Sequence, residues 1–144
     1  MAVSKAVPKV VANNVVGSRW KITIAKNNGK WTVEKPNGKV NKWKDTVEWT
    51  LERGNPPEPV TAHFQFTQGD FFENLPGRAD LTPDWTADIP AGVDTLELKV
   101  KDAADTARNP RFYAVWIQYE CPKGGGAYAV GEEGNPPPEM DVGP

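Results

Sequence analysis

The chain has 144 residues, with 17 Lys and Arg, 19 Asp and Glu, one His and one Cys, and a formal net charge of −2. That length makes one domain around one core. A single Cys excludes an internal disulfide, and six Trp, five Phe and three Tyr set among fourteen Pro and thirteen Gly exclude a chain disordered throughout.

The charge is unevenly placed. Residues 1–44 carry ten basic side chains and one acid, Glu34, for +9, whereas the remainder carries seven and eighteen, for −11. Such segregation concerns partners or assembly. Residues 1–18 mix Val and Ala with Lys, Pro and paired Asn without a lasting period, so they are expected to form an N-terminal arm. Residues 19–144 are expected to form a single β-sandwich domain. The start, Met1-Ala2-Val3-Ser4-Lys5, holds no apolar run of signal-peptide or membrane-spanning length, so a cytoplasmic protein is expected.

Trp20, Ile22 and Ile24 alternate with Lys21, Thr23 and Ala25, the period of a strand with one buried face. Asn28-Gly29 is a two-residue hairpin signal, and pairing across it sets Ile24 opposite Val33 and Lys26 opposite Trp31. Pro36-Asn37-Gly38 ends the second strand. Val47, Trp49 and Leu51 then alternate with Thr46, Glu48, Thr50 and Glu52, up to Gly54-Asn55-Pro56-Pro57.

Ala62, Phe64 and Phe66 mark the next strand, with Thr61, His63 and Gln65 on its polar face. Residues 68–94 read as a long irregular crossover. Leu96, Leu98 and Val100 resume the alternation, and Ala103–Ala107 has room for one helical turn. Arg111–Glu120 is apolar on both parities, with Tyr113, Val115, Ile117 and Tyr119 on one and Phe112, Ala114 and Trp116 on the other. The expectation is a central strand whose second face is covered by a loop or the arm; the competing reading is a partner-binding face. Ala127–Val130 and Glu139–Val142 are short final strands. Seven or eight strands with almost no helix predict an all-β, antiparallel sandwich of cupredoxin-like or immunoglobulin-like type.

The inventory for chemistry is thin. His63 is the one imidazole and is expected to be exposed, and Cys121, on the parity of Tyr119, is expected to be a buried, inert thiol. Asp80, Asp84 and Asp88 lie around Trp85, with Asp70 and Glu73 earlier, but their spacing matches no calcium loop, so solvated acids are expected. A sugar platform at Trp85 is a minor alternative. No catalytic, cofactor-binding or metal residues are assigned, and no enzyme is expected.

Asp45-Thr46-Val47-Glu48-Trp49 is similar to the Asp-Thr-Val-x-Trp strand of the cupredoxins, and Phe112–Cys121 resembles their strand leading into the ligand Cys. The resemblance covers residues 45–144 and includes the order His63, Cys121, Met140. It implies a copper-carrying sandwich, but blue copper requires a second imidazole that this chain lacks, so no metal or cofactor is expected.

The expected function is a non-catalytic protein–protein interaction or self-assembly module, joined head to tail through opposite charges, with a second copy of the chain as partner. One alternative is a degenerate cupredoxin-type redox protein using His63, Cys121 and Met140. Another is a nucleic-acid binder, with Lys26, Lys30, Lys35, Lys39, Lys42 and Lys44 on phosphates and Trp31 and Trp43 stacked on bases. No membrane association is expected.

Overall fold

A computed structural model describes residues 18–34, 40–67, 71–73, 75, 85–102, 111–131 and 137–143. The expected arm and the turn at Ala103–Ala107 lie outside the described residues, apart from Ser18. Ten strands and no helix are present among the described residues. In chain order they are β1 (Arg19–Asn27), β2 (Lys30–Glu34), β3 (Val40–Lys42), β4 (Thr46–Leu51), β5 (Val60–Phe66), β6 (Thr86–Ile89), β7 (Thr95–Lys99), β8 (Arg111–Tyr119), β9 (Gly126–Tyr128) and β10 (Glu139–Gly143). No helix among the described residues is long and apolar enough to cross a membrane.

The strands form a sandwich of two sheets. One has the order β2-β1-β4-β7; the other has the order β3-β10-β8-β5-β6, with β9 pairing β8 as its sixth strand. Asn28 and Gly29 take φ of 52° and 81°, the positive pair that a tight hairpin demands, and Ile24 faces Val33 while Lys26 faces Trp31. β1 runs parallel to β4 and antiparallel to β2. Most other pairings are antiparallel, the exception being β10 beside β3.

Alternation decides which residues meet between the layers. Ile22, Ile24, Trp31, Val33, Val47, Trp49 and Leu51 from one sheet are buried in a single cluster with Val60, Ala62, Phe64, Phe66, Tyr113, Val115 and Ile117 from the other. Trp49 sits at its centre, edge-on to Phe64, Phe66 and Tyr113 with ring centroids 5.4–5.8 Å apart. Such contacts contribute roughly 0.5–1.5 kcal/mol each beyond area burial.

All eight expected strands form, and two more join them. Within residues 68–94, read above as irregular, Thr86–Ile89 pairs antiparallel with β5, and Phe72 bridges to Val100 on the outer side of β7. Ile89 is fully buried, which anchors this short segment as a strand despite its Pro- and Asp-rich surroundings. Val40–Lys42 pairs with β10.

The chain after β9 changes layer. Gly126–Tyr128 pairs β8, and then Val130 accepts from Val33 N–H at 2.8 Å and donates to Trp31 C=O at 3.0 Å. One short segment thus joins the edges of both sheets, a corner of the kind sandwiches use to close.

Candidate functional site

Because β5 buries Ala62, Phe64 and Phe66, it turns His63 and Gln65 outward. β6 presents Thr86 and Asp88 beside them, and β8 presents Ala114 and Trp116. Register then builds a row across four strands: Asp88 lies opposite His63, His63 opposite Trp116, and Trp116 opposite Tyr128. Three strand spacings make it about 14 Å long.

The row has fixed internal geometry. His63 Nδ1 lies 2.7 Å from Asp88 Oδ1. Trp116 donates its indole N–H to Gln118 Oε1 at 2.8 Å, and Gln118 donates in turn to the Gly125 carbonyl at 3.1 Å. Tyr128 stands edge-on to Trp116, with centroids 4.8 Å apart at 69°. Gly126 makes room for the indole, since a Cβ there would lie within 2.9 Å of two of its ring carbons.

Beside this row, the small side chain of Ala114 leaves a trough of about 450 Å³, lined by His63, Gln65, Thr86, Asp88, Trp116 and Tyr128 with Phe64 at its floor. That volume is in the range of small-ligand sites, about 300–1,000 Å³. Among the described residues no Lys or Arg lines it.

The expected cover over the second face of β8 is therefore incomplete. Phe112 is 41% and Tyr128 64% exposed, and Trp116 is half-buried. Tyr128, missed in the sequence, belongs to a short strand whose three residues are all exposed. Asp88 was placed among loop acids, whereas it is a strand residue bonded to His63.

Other candidates separate. Cys121 is exposed and not buried, because β8 ends at Tyr119 and the chain turns before the strand parity reaches it. Met140 is buried opposite Arg111, at the far end of β8 from Cys121, and His63 is on the outer face beside Trp116. The eight steps from Arg111 to Tyr119 span roughly 26 Å, so His63, Cys121 and Met140 do not converge. Among the described residues no group of three or more His, Cys, Asp or Glu is placed to hold a metal. Asp70, Asp80 and Asp84 lie outside the described residues, and Glu73 pairs with Lys99.

Three described basic side chains of the first 44 residues meet acids of the same chain. Arg19 meets Glu48 at 2.6 Å and Glu97 at 3.0 Å, Lys26 meets Glu58 at 3.3 Å, and Lys44 meets Asp102 at 3.8 Å. Hydrogen bonds to Tyr119 and Glu58 hold the Lys26 pKa above its ordinary value, so it stays charged. Trp31 is 3% exposed and donates to the Tyr119 hydroxyl, so it offers no open ring for base stacking, whereas Trp43 is half-buried against the core. The positions of Lys35, Lys39 and the Lys42 side chain lie outside the described residues.

No protein-family model, no curated protein and no solved structure matches the chain.

Proposed function

We propose that the chain is a non-catalytic binding module that works through the outer face of its six-stranded sheet. The observation that carries this is the Trp116–Tyr128 pair, two aromatic rings held in one arrangement on an accessible face. Large exposed rings are costly to leave in water and are common anchors of binding faces. Ordering them before contact removes a rotamer cost that a partner would otherwise have to offset.

Head-to-tail assembly through opposite charges draws less support, since Arg19, Lys26 and Lys44 each meet acids of their own chain. Exposed pairs of that kind resemble ordinary surface ion pairs more than an unsatisfied pole.

The test immobilises the wild-type chain and a Trp116→Ala/Tyr128→Ala double variant, and compares what each retains from an extract containing proteins and polysaccharides. Material held by the wild type and released by the double variant is the expected result. Equal retention by both chains overturns the proposal.

A further inference from the structure

We propose that the trough beside Trp116 takes a neutral carbohydrate. This rests on the outer sheet face being the binding face and names the ligand class for it. A sugar ring presents a patch of C–H groups on its face and hydroxyls around its edge. A site for it therefore needs an aromatic ring with planar hydrogen-bonding groups to one side.

The four-strand row supplies both kinds of group in that order. Trp116 and Tyr128 form the aromatic end, and His63, Asp88, Gln65 and Thr86 form the polar end of the same trough. His63 Nδ1 lies against Asp88 Oδ1, so the trough offers His63 Nε2, the second Asp88 oxygen as an acceptor, and the Gln65 amide, which both donates and accepts. Sugar hydroxyls, each a donor and an acceptor, match that mixture.

The indole is fixed before any ligand arrives. Its N–H is taken by Gln118, and its ring carbons rest against the Gly126 backbone, so what it offers a ligand is ring surface. Stacking is the contact left to it.

The lining also argues against other classes. An anionic ligand, a phosphate or a nucleic acid would meet the Asp88 carboxylate, and the described residues of the trough include no Lys or Arg to offset it. A purely apolar ligand would cover the remaining polar atoms of His63, Asp88 and Gln65 without supplying partners for them, which costs free energy for each polar group left unmatched.

Native-gel affinity electrophoresis tests this. The gels contain soluble neutral polysaccharides of β-glucan, xylan, galactomannan and α-glucan type, with heparin as the charged control. Wild-type chain, Tyr128→Ala and Trp116→Ala are run together, with near-ultraviolet circular dichroism and thermal midpoints recording the fold of each. Tyr128 is exposed, so its removal spares the core even where Trp116→Ala loosens β9. The expected result is retardation of the wild type by a neutral polysaccharide, weakened about ten-fold or more in Tyr128→Ala.

Retardation in heparin alone, or retardation that Tyr128→Ala leaves unchanged, overturns the carbohydrate assignment, as does no retardation in any neutral gel. If the extract comparison still shows a protein lost from the double variant, the binding face stands and only its ligand class falls. If that comparison also shows no difference, both fall.

Discussion

Trp49 donates its indole N–H to the hydroxyl of Tyr113 at 3.1 Å, reaching across the interior from β4 to β8. Trp31 does the same to Tyr119, from β2 to the other end of β8, also at 3.1 Å. The central strand of the larger sheet thus accepts two indole bonds from the smaller one.

Tyr113→Phe leaves the buried Trp49 N–H without its acceptor and is expected to cost about 1–3 kcal/mol at neutral pH. Burial also pushes the Tyr113 pKa well above its ordinary 10.0, with the bond from Trp49 opposing only in part. An unfolded Tyr loses its proton above about pH 10 while the folded one keeps it. The native state then binds more protons, so this contribution is whole below about pH 10 and falls as pH rises, by about 1.4 kcal/mol per pH unit. Urea midpoints at about pH 9 and about pH 11 check it. The wild type is expected to lose more between the two than Tyr113→Phe does, and equal losses would show that Tyr113 is not the group responsible.

Asp45 is buried at the entrance to β4 and accepts the Ser18 backbone N–H at 2.7 Å and the Trp20 indole N–H. It ties the start of β1 to its parallel neighbour. Asp45→Ala removes a charged acceptor from two donors and is expected to destabilise by roughly 2–4 kcal/mol, with a red shift in Trp emission as Trp20 meets more water. An unchanged urea midpoint would contradict this role.

Gly126→Ala places a Cβ against the Ile117 carbonyl and the Trp116 ring, both parts of β8. β9 must shift to admit it. The expected cost is about 1–3 kcal/mol, accompanied by loss of the near-ultraviolet signal of the Trp116–Tyr128 pair. Retention of that signal at wild-type strength would mean that the indole does not depend on Gly126.

Cys121 is exposed. An aromatic disulfide reagent is expected to label one thiol per chain in native buffer, as completely as after unfolding in urea. Labelling that appears only in urea would place the thiol inside.

Much of this architecture was legible from local pattern. The Asn28-Gly29 turn and the alternation of β1 and β2 are sufficient to set Ile24 against Val33, because a two-residue turn leaves no freedom of register. Phe64 and Trp49 followed from parity alone. Thr86–Ile89 did not, since a four-residue strand is too short to display a period, and what makes it a strand is the edge of β5. Cys121 was misjudged because parity holds only while the backbone stays extended. The row from Asp88 to Tyr128 was beyond any local pattern, since it depends on pairings between strands distant in sequence.

The crossing of Gly126–Val130 from β8 to β2 acts as a seam between the layers. Tyr128 is carried on that seam, two residues before the stitch at Val130. Peeling the seam would open the rim of β2 and withdraw the phenol from the indole in one motion, so the Trp116–Tyr128 pair and the closure of the sandwich are secured by the same few backbone bonds.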